Sequence, residues 1–342
     1  MIRIGMIGCG YWGPKLARNL NSIEGSRVEY LCDTRAQRVE QLRGNFKDAL
    51  TTSDHHEVIR SRDVDAVCIA TPPATHYTMA MEAIEAGKHV FVEKPLAMHH
   101  SEALELMGAA EKKNVVLMTG HVFLYAPAVQ AMRAMMQTGE LGELCYVTSV
   151  RSNLPPPCYV VDVLWDLAPH DISIILDLVG EAPSEIIAQG TSFQQNGFLD
   201  AVFIVLRFPS GKMGHVHVSW LTPKKTRILH MVCKDGVAVY DDMQLAEKLR
   251  IHQPGPDIPS SGSGQENNLF AYGLGSITIP PLITKETLRA ECEDFVRSIR
   301  TGEKPYASGR WAAEVVRVLE EATLQMEKQM KTPRVTDKVQ RS

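Results

Sequence analysis

The sequence predicts two units: an N-terminal α/β Rossmann domain with a doubly wound parallel sheet, then a C-terminal α+β domain with a mostly antiparallel, open sheet. Three observations predict this. Short apolar runs alternate with helical stretches through the first third, as in strands buried on both faces and joined by helices. Longer strand-like runs then follow one another with tight-turn signals between them. The 342 residues exceed what one average core organises. The expected boundaries are 1–120 for the first domain, 121–330 for a substrate and oligomerisation domain, and 331–342 for a polar tail.

Ile2–Ile7 is an apolar strand that runs straight into glycines, with a helix expected from about Pro14 to Leu20. Val28–Cys32 is the second strand and Ala36–Leu42 a helix. Ala66–Ala70 is the third strand, ended by Thr71-Pro72-Pro73. A helix over Tyr77–Ala86 is stopped by Gly87, and His89–Val92 is the fourth strand. Ser101–Lys113 is a helix with Ser101 as its cap, and Val115–Met118 a fifth strand. After Gly120 the pattern changes. A helix is expected over Pro127–Gln137, another from Trp165 to Leu178, and two more over Lys285–Arg300 and Gly309–Lys328. Strands are expected over 144–152, 186–193, 201–208, 212–220, 227–233 and 237–241. Asn153–Val161, with three prolines, and Gln253–Asn268, rich in Pro, Gly and Ser, read as loops.

The net charge of −4 gives no reason to expect nucleic acid or an anionic membrane as partner. Seven cysteines at irregular spacings, with no Cys-x-x-Cys, argue against a disulfide framework or a zinc site, and no metal is expected. The chain enters a strand at its first residues, without a signal-peptide pattern, and has no apolar run near the roughly 20 residues that span a bilayer. A cytoplasmic protein is expected.

Gly8-Cys9-Gly10-Tyr11-Trp12-Gly13 follows a strand and opens a helix. In that setting the first glycine permits a tight turn, the second lets the backbone approach a pyrophosphate, and the third allows close helix–strand packing. Free amides at the helix start then meet the phosphates. Asp33 ends the second strand, where its carboxylate accepts hydrogen bonds from ribose hydroxyls and repels a 2′-phosphate. That favours NAD over NADP, with Arg35 as the residue that would meet a phosphate instead. Thr71 and Pro72 lie at the C-terminal end of the third strand, the edge along which such sheets bind ligands.

Glu93-Lys94-Pro95 follows the fourth strand, and Asp166-x-x-x-His170 lies in the second domain. Together with the early glycine motif, their order and spacing resemble the glucose–fructose oxidoreductase / inositol dehydrogenase / MocA family over nearly the whole chain. The resemblance implies a dehydrogenase acting on the CH–OH group of a sugar or sugar nucleotide, working as a homodimer or homotetramer. It implies that Lys94 reaches the nicotinamide, and that Asp166 and His170 meet the substrate. It also implies a cis bond before Pro95. Tyr11, Trp12, His76, Glu93 and Lys94 complete the expected cofactor-binding set. His121 and Tyr125, in a segment similar to the family's entry into the substrate domain, and Trp220 are expected near the substrate. A lysine ammonium stabilises a developing alkoxide. Histidine, which titrates near neutrality, serves as general base or acid. Asp166 is placed to orient His170 or to bind a hydroxyl, or else to cap the helix, a role Asp171 is also placed to fill. Two rival readings are an enzyme that retains NAD and uses transient oxidation for elimination or hydrolysis, and a cofactor-binding regulator. His215 and His217 share a strand face without a third ligand and read as a polar sheet face. His55, His56, His99 and His100 read as surface residues, and Met132, Met135 and Met136 as packing.

Overall fold

The computed structural model describes residues 1–155, 160–194, 197–255 and 275–331. The expected loops fall partly outside them, at 156–159 and 256–268, as does nearly all of the expected tail, at 332–342. The chain forms two compact units, Met1–Ala126 with Lys285–Leu324, and Pro127–Thr284 with Gln325–Ser342.

The first unit holds β1 (Ile2–Ile7), α1 (Gly13–Ser22), β2 (Ser26–Cys32), α2 (Ala36–Arg43), β3 (Leu50–Thr52), α3 (His55–Arg60), β4 (Ala66–Ile69), α4 (His76–Glu85), β5 (His89–Glu93), α5 (His100–Lys113) and β6 (Leu117–Gly120). The six strands pair in parallel in the order β3-β2-β1-β4-β5-β6. The order reverses between β1 and β4, so the turns after these two strands flank the crevice where open α/β sheets bind ligands. β4 is buried along its whole length, as its unbroken apolar run requires.

Two elements here were not expected. β3 is three residues long and half exposed, so it carries no apolar signature. α3 is a six-residue helix whose N-cap Asp54 accepts from the His56 amide. One expectation is corrected. α5 starts at His100 behind His99, so Ser101 lies inside its first turn and is not the cap. Instead Glu102 accepts from the His99 amide at 3.3 Å.

The second unit holds α6 (Pro127–Thr138), β7 (Leu144–Ser152), α7 (Val163–Val179), β8 (Glu185–Thr191), β9 (Ala201–Arg207), β10 (Met213–Ser219), β11 (Thr226–Cys233), β12 (Gly236–Asp241), β13 (Leu249–Gln253) and β14 (Ser276–Thr278). The sheet order is β14-β13-β12-β11-β7-β10-β9-β8. All neighbours are antiparallel except β7 and β10, which run parallel at the centre. β13 and β14 were not expected. α7 packs on β7, β9 and β10. The last two helices are α8 (Thr287–Thr301), which packs on α1, and α9 (Gly309–Lys331).

α7 differs from expectation at its start. Asp162, not Asp166 or Asp171, is the N-cap, and its Oδ1 accepts from the Trp165 amide at 3.2 Å. Pro169 therefore sits in the helix interior and not in the first turn. It has no N–H to offer the carbonyl one turn back. The helix tolerates this because nearly all of it is buried against the sheet, where packing outweighs propensity.

Candidate active site

The glycine turn has the geometry that its sequence demands. Gly8 adopts φ +95°, and a Cβ there would lie 2.5 Å from the Ala70 carbonyl oxygen. A Cβ on Gly13 would lie 2.0 Å from the Gly8 carbonyl oxygen. These two glycines close the turn onto β4 and onto itself. Gly10 differs, because a Cβ there would meet only the Arg38 Nη1, at 3.7 Å. Space therefore remains over Gly10 for a pyrophosphate, and the residues present fit a dinucleotide. α1 starts without a side-chain cap and has Pro14 in its first turn. Tyr11 is 75% exposed, and the Lys15 ammonium lies 3.4 Å from the centre of its ring. Trp12 is the N-cap residue of α1 and meets Tyr11 edge to face.

Asp33 is 7% exposed and held by the turn itself. Its Oδ2 accepts from the Cys9 amide at 2.8 Å and its Oδ1 from the Arg35 amide at 2.9 Å. Burial, with the Asp33 charge beside it, pushes the Cys9 thiol up to about 12. Arg38, which the sequence reading did not single out, brings its Nη1 within 3.4 Å of Asp33 Oδ2. Its signal was available: Arg38 stands in the first turn of the helix that follows Asp33.

Thr71 follows β4, and its hydroxyl meets that of Thr75 at 2.7 Å. Pro72 is extended and leads into a short 3-10 turn over Pro73–Thr75. His76 is fully buried, with Nδ1 2.7 Å from the Pro95 carbonyl oxygen and Nε2 2.9 Å from the Thr71 carbonyl oxygen. Lys94 follows β5 directly, and the Lys94–Pro95 bond is cis. The Lys94 amide donates to Glu93 Oε2 at 3.2 Å. Burial raises the Glu93 carboxyl to about 7 against the opposing pull of Lys94.

Behind Glu93 lies a group of buried polar side chains. Glu93 stands opposite Gly120 in the sheet, and a Cβ on Gly120 would lie 3.2 Å from Glu93 Oε2. Thr119 and His121 flank Gly120, and both are buried with side-chain polar atoms that find no hydrogen-bond partner. Burial and the nearby Lys94 charge hold His121 down to about 3, so it is neutral. Glu291 on α8 is fully buried, and neither of its oxygens has a hydrogen-bond partner. Burial first, and Glu93 second, raise it well above the usual carboxyl range. Tyr125 is occupied elsewhere. Its hydroxyl donates to Asp294 Oδ2 at 2.7 Å and accepts from the Ala307 amide at 3.1 Å. Glu291 escaped the sequence reading because a single acid in an amphipathic helix reads as solvated.

In the second unit Asp166 and His170 lie one turn apart on α7, Asp166 half-buried and His170 buried. The next residue, Asp171, takes Arg151 Nε at 2.6 Å and Ser149 Oγ at 2.6 Å, and so fixes the helix to β7. Trp220 is 2% exposed, and its amide donates to the Asp200 carbonyl at 2.8 Å. Met132 and Met135 are buried, and His217 stacks on Phe203 with ring centres 4.3 Å apart. His215 and His217 belong to no metal-ligating group of three among the described residues.

A glycine turn at the switch point, an acid that takes the Cys9 amide within it, and a lysine at the same sheet edge define a dinucleotide-dependent oxidoreductase. The family models agree. Residues 2–121 match the oxidoreductase family with an NAD-binding Rossmann fold, and residues 129–239 match the GFO/IDH/MocA C-terminal domain. The chain belongs to the GFO/IDH/MocA family. It is 27% identical to UDP-N-acetylglucosamine 3-dehydrogenase of Acidithiobacillus ferrooxidans, over 95% of this chain and 99% of that one. It is 29% identical to myo-inositol 2-dehydrogenase of Thermotoga maritima, over 62% of this chain and 67% of that one. The solved structure of the Acidithiobacillus enzyme superposes with a TM-score of 0.84, covering 97% of this chain and 99% of that one at 25% identity.

Proposed function

We propose that the protein transfers a hydride between the CH–OH carbon of a sugar or sugar nucleotide and the nicotinamide of NAD. The observation that carries this reading is that β1, β4 and β5 are parallel neighbours. Their C-terminal ends therefore deliver Gly8–Gly13, Thr71 and Lys94 to one edge of one sheet. The names of the two dehydrogenase relatives support the substrate class.

In this reading the first unit binds the dinucleotide and the second the substrate. Gly8, Gly10 and Gly13 hold the pyrophosphate, with Tyr11 and Trp12 at its rim. Asp33 holds the adenosine ribose, and Thr71 and Pro72 line the nicotinamide side. NAD supplies the hydride acceptor. The overall step is CH–OH + NAD⁺ → C=O + NADH + H⁺. Lys94 donates a hydrogen bond to the substrate oxygen and stabilises it as it gains charge. His170 accepts the hydroxyl proton in oxidation and returns it in reduction. Asp166, one turn before His170, orients the ring or holds a neighbouring hydroxyl. His76 and Tyr125 stand outside this set, because their polar atoms are spent on internal contacts.

A second copy of the chain is the proposed cover for the sheet of the second unit. Phe203, Ile187, Tyr146 and Met213 are exposed on its strands, and burying such residues in a symmetric interface removes apolar surface from water. All six described cysteines are free, which fits a reducing compartment, and we place the enzyme in the cytoplasm. No described helix is long and apolar enough to cross a membrane.

The test is to incubate purified protein with NAD and a panel of polyols, sugars and nucleotide sugars, and to follow reduced nicotinamide by absorbance. Net reduction with one substrate group, lost in Lys94→Ala, is the expected result. No turnover across the panel, with bound NAD that never exchanges, would replace this reading with the retained-cofactor one.

A further inference from the structure

The proposed function leaves His76 without a part, yet its surroundings are specific. The ring sits at the first residue of α4, wholly removed from solvent. Each of its two nitrogens faces a backbone carbonyl oxygen, that of Pro95 at 2.7 Å and that of Thr71 at 2.9 Å. Those carbonyls belong to the two loops that follow β5 and β4, the loops that carry Lys94 and Thr71 to the site.

Carbonyl oxygens only accept. A neutral imidazole has one N–H and satisfies one carbonyl, whereas the imidazolium satisfies both. The charged groups around the ring decide how far the second form contributes. Burial holds the proton affinity of His76 below that of a solvated histidine, and the Lys94 charge pushes the same way. The two carbonyls act in the opposite sense. No carboxylate contributes to this balance. We assign the single N–H of the neutral ring to Nδ1, toward Pro95, the shorter of the two contacts. The Thr71 loop has supports of its own, since both the Thr75 amide and the Thr75 hydroxyl donate to the Pro72 carbonyl, at 3.0 and 2.8 Å.

We propose that His76 is a positioning residue, whose ring holds the Pro95 carbonyl and thereby fixes Lys94 against the Thr71 loop at the hydride-transfer edge. His76 touches neither cofactor nor substrate in this role. The inference rests on the reading of Lys94 as the group that handles the substrate oxygen.

Two substitutions separate the two contacts. The amide nitrogen of Asn lies close to where Nδ1 of histidine lies, and that of Gln close to where Nε2 lies. His76→Asn therefore keeps a donor for Pro95, and His76→Gln keeps one for Thr71. The experiment compares these variants with the parent by amide hydrogen exchange, read by mass spectrometry without substrate, and by steady-state kinetics with NAD. In His76→Gln, exchange in the 93–97 segment is expected to rise and kcat to fall by roughly 10- to 100-fold, the scale of a misplaced catalytic group. The dissociation constant for NAD stays near the parent value. In His76→Asn the donor for Pro95 is kept, so exchange at 93–97 and kcat both stay close to the parent.

Unchanged exchange at 93–97 in His76→Gln overturns the tie. Faster exchange with full kcat overturns the positioning role. Full activity in Lys94→Ala overturns the functional reading instead, and the exchange result then stands by itself. Exchange needs only that the variants fold, which their thermal unfolding checks.

Discussion

Arg151 and Asp171 form a two-point ion pair in the interior of the second unit, with Nε to Oδ2 at 2.6 Å and Nη2 to Oδ1 at 3.1 Å. Ser149 adds a hydrogen bond to Asp171 Oδ1. Because Asp171 directly follows His170, the pair sets the rotation of α7 and with it the direction of Asp166 and His170. Asp171→Ala leaves Arg151 charged and buried without its partner, and is expected to cost about 3–5 kcal/mol. The double change Arg151→Met with Asp171→Leu removes both charges and is expected to cost less than the single one. Urea unfolding of the three proteins checks this. A single variant as stable as the parent would show that the pair does not hold the helix.

Asp33 is already oriented by the Cys9 and Arg35 amides before any ribose arrives. Asp33→Ala removes both the acceptor for ribose hydroxyls and the support of the glycine turn. NAD affinity is expected to fall by roughly 10-fold or more, on the scale of a hydrogen bond to a charged group. NADP affinity is expected to rise relative to NAD, since Arg38 then faces the 2′ position without its carboxylate. Fluorescence titration with both reduced cofactors measures the ratio, and an unchanged ratio would remove Asp33 from cofactor selection.

The raised carboxyl of Glu93 makes stability depend on pH. The folded chain keeps this proton up to about 7, whereas an exposed glutamate releases it near 4.5. Across that window the folded state binds more protons than the unfolded one, so unfolding free energy falls as pH rises and levels off above it. Glu291 is shifted in the same direction and extends the decline. Lys94, His121, Glu291 and the thiols of Cys68 and Cys292 lie around Glu93 among the described residues, and burial keeps His121 neutral. Glu93→Gln keeps an acceptor for the Lys94 amide and removes the titration. From about pH 5 to about pH 8, the variant is expected to gain on the parent by about 1–3 kcal/mol. Denaturation curves at successive pH values test the sign, and a parent that grows more stable over the same range contradicts it.

Lys94→Ala and His170→Ala are each expected to lower kcat by roughly 100-fold or more, the usual scale for a proton-handling group. Binding of NAD is expected to survive both changes. Loss of cofactor binding in His170→Ala would mean that the residue serves the cofactor and not the substrate.

The sequence showed the parts of the fold whose signals are local. β1, β4 and β5 are apolar runs between turn residues, and the glycine motif names its own place after β1. It did not show β3, because three half-exposed residues have no periodicity. α3 was legible in principle from Asp54 and Glu57, an N-cap followed by an acid in the first turn. The start of α7 was misjudged because Asp162, Asp166 and Asp171 are all competent caps, and only packing selects among them. Lys94, Asp166 and His170 were named from their motifs. Arg38, Glu291 and the Arg151–Asp171 pair were not, because burial decides what a charged side chain does, and burial is a property of the folded chain.

α8 belongs to the first unit although nearly half of the sequence separates it from β6. Phe295 lies against Phe91 with ring centres 5.7 Å apart, and the helix also packs on α1 and on the turn Val122–Tyr125. A growing polypeptide that has just cleared residue 126 therefore exposes an apolar seam whose complement has yet to be synthesised. The Rossmann sheet is translated well before α8 and completed only after it, so premature termination between residue 126 and Phe295 yields a product that holds every glycine of the Gly8–Gly13 turn and still lacks a finished core.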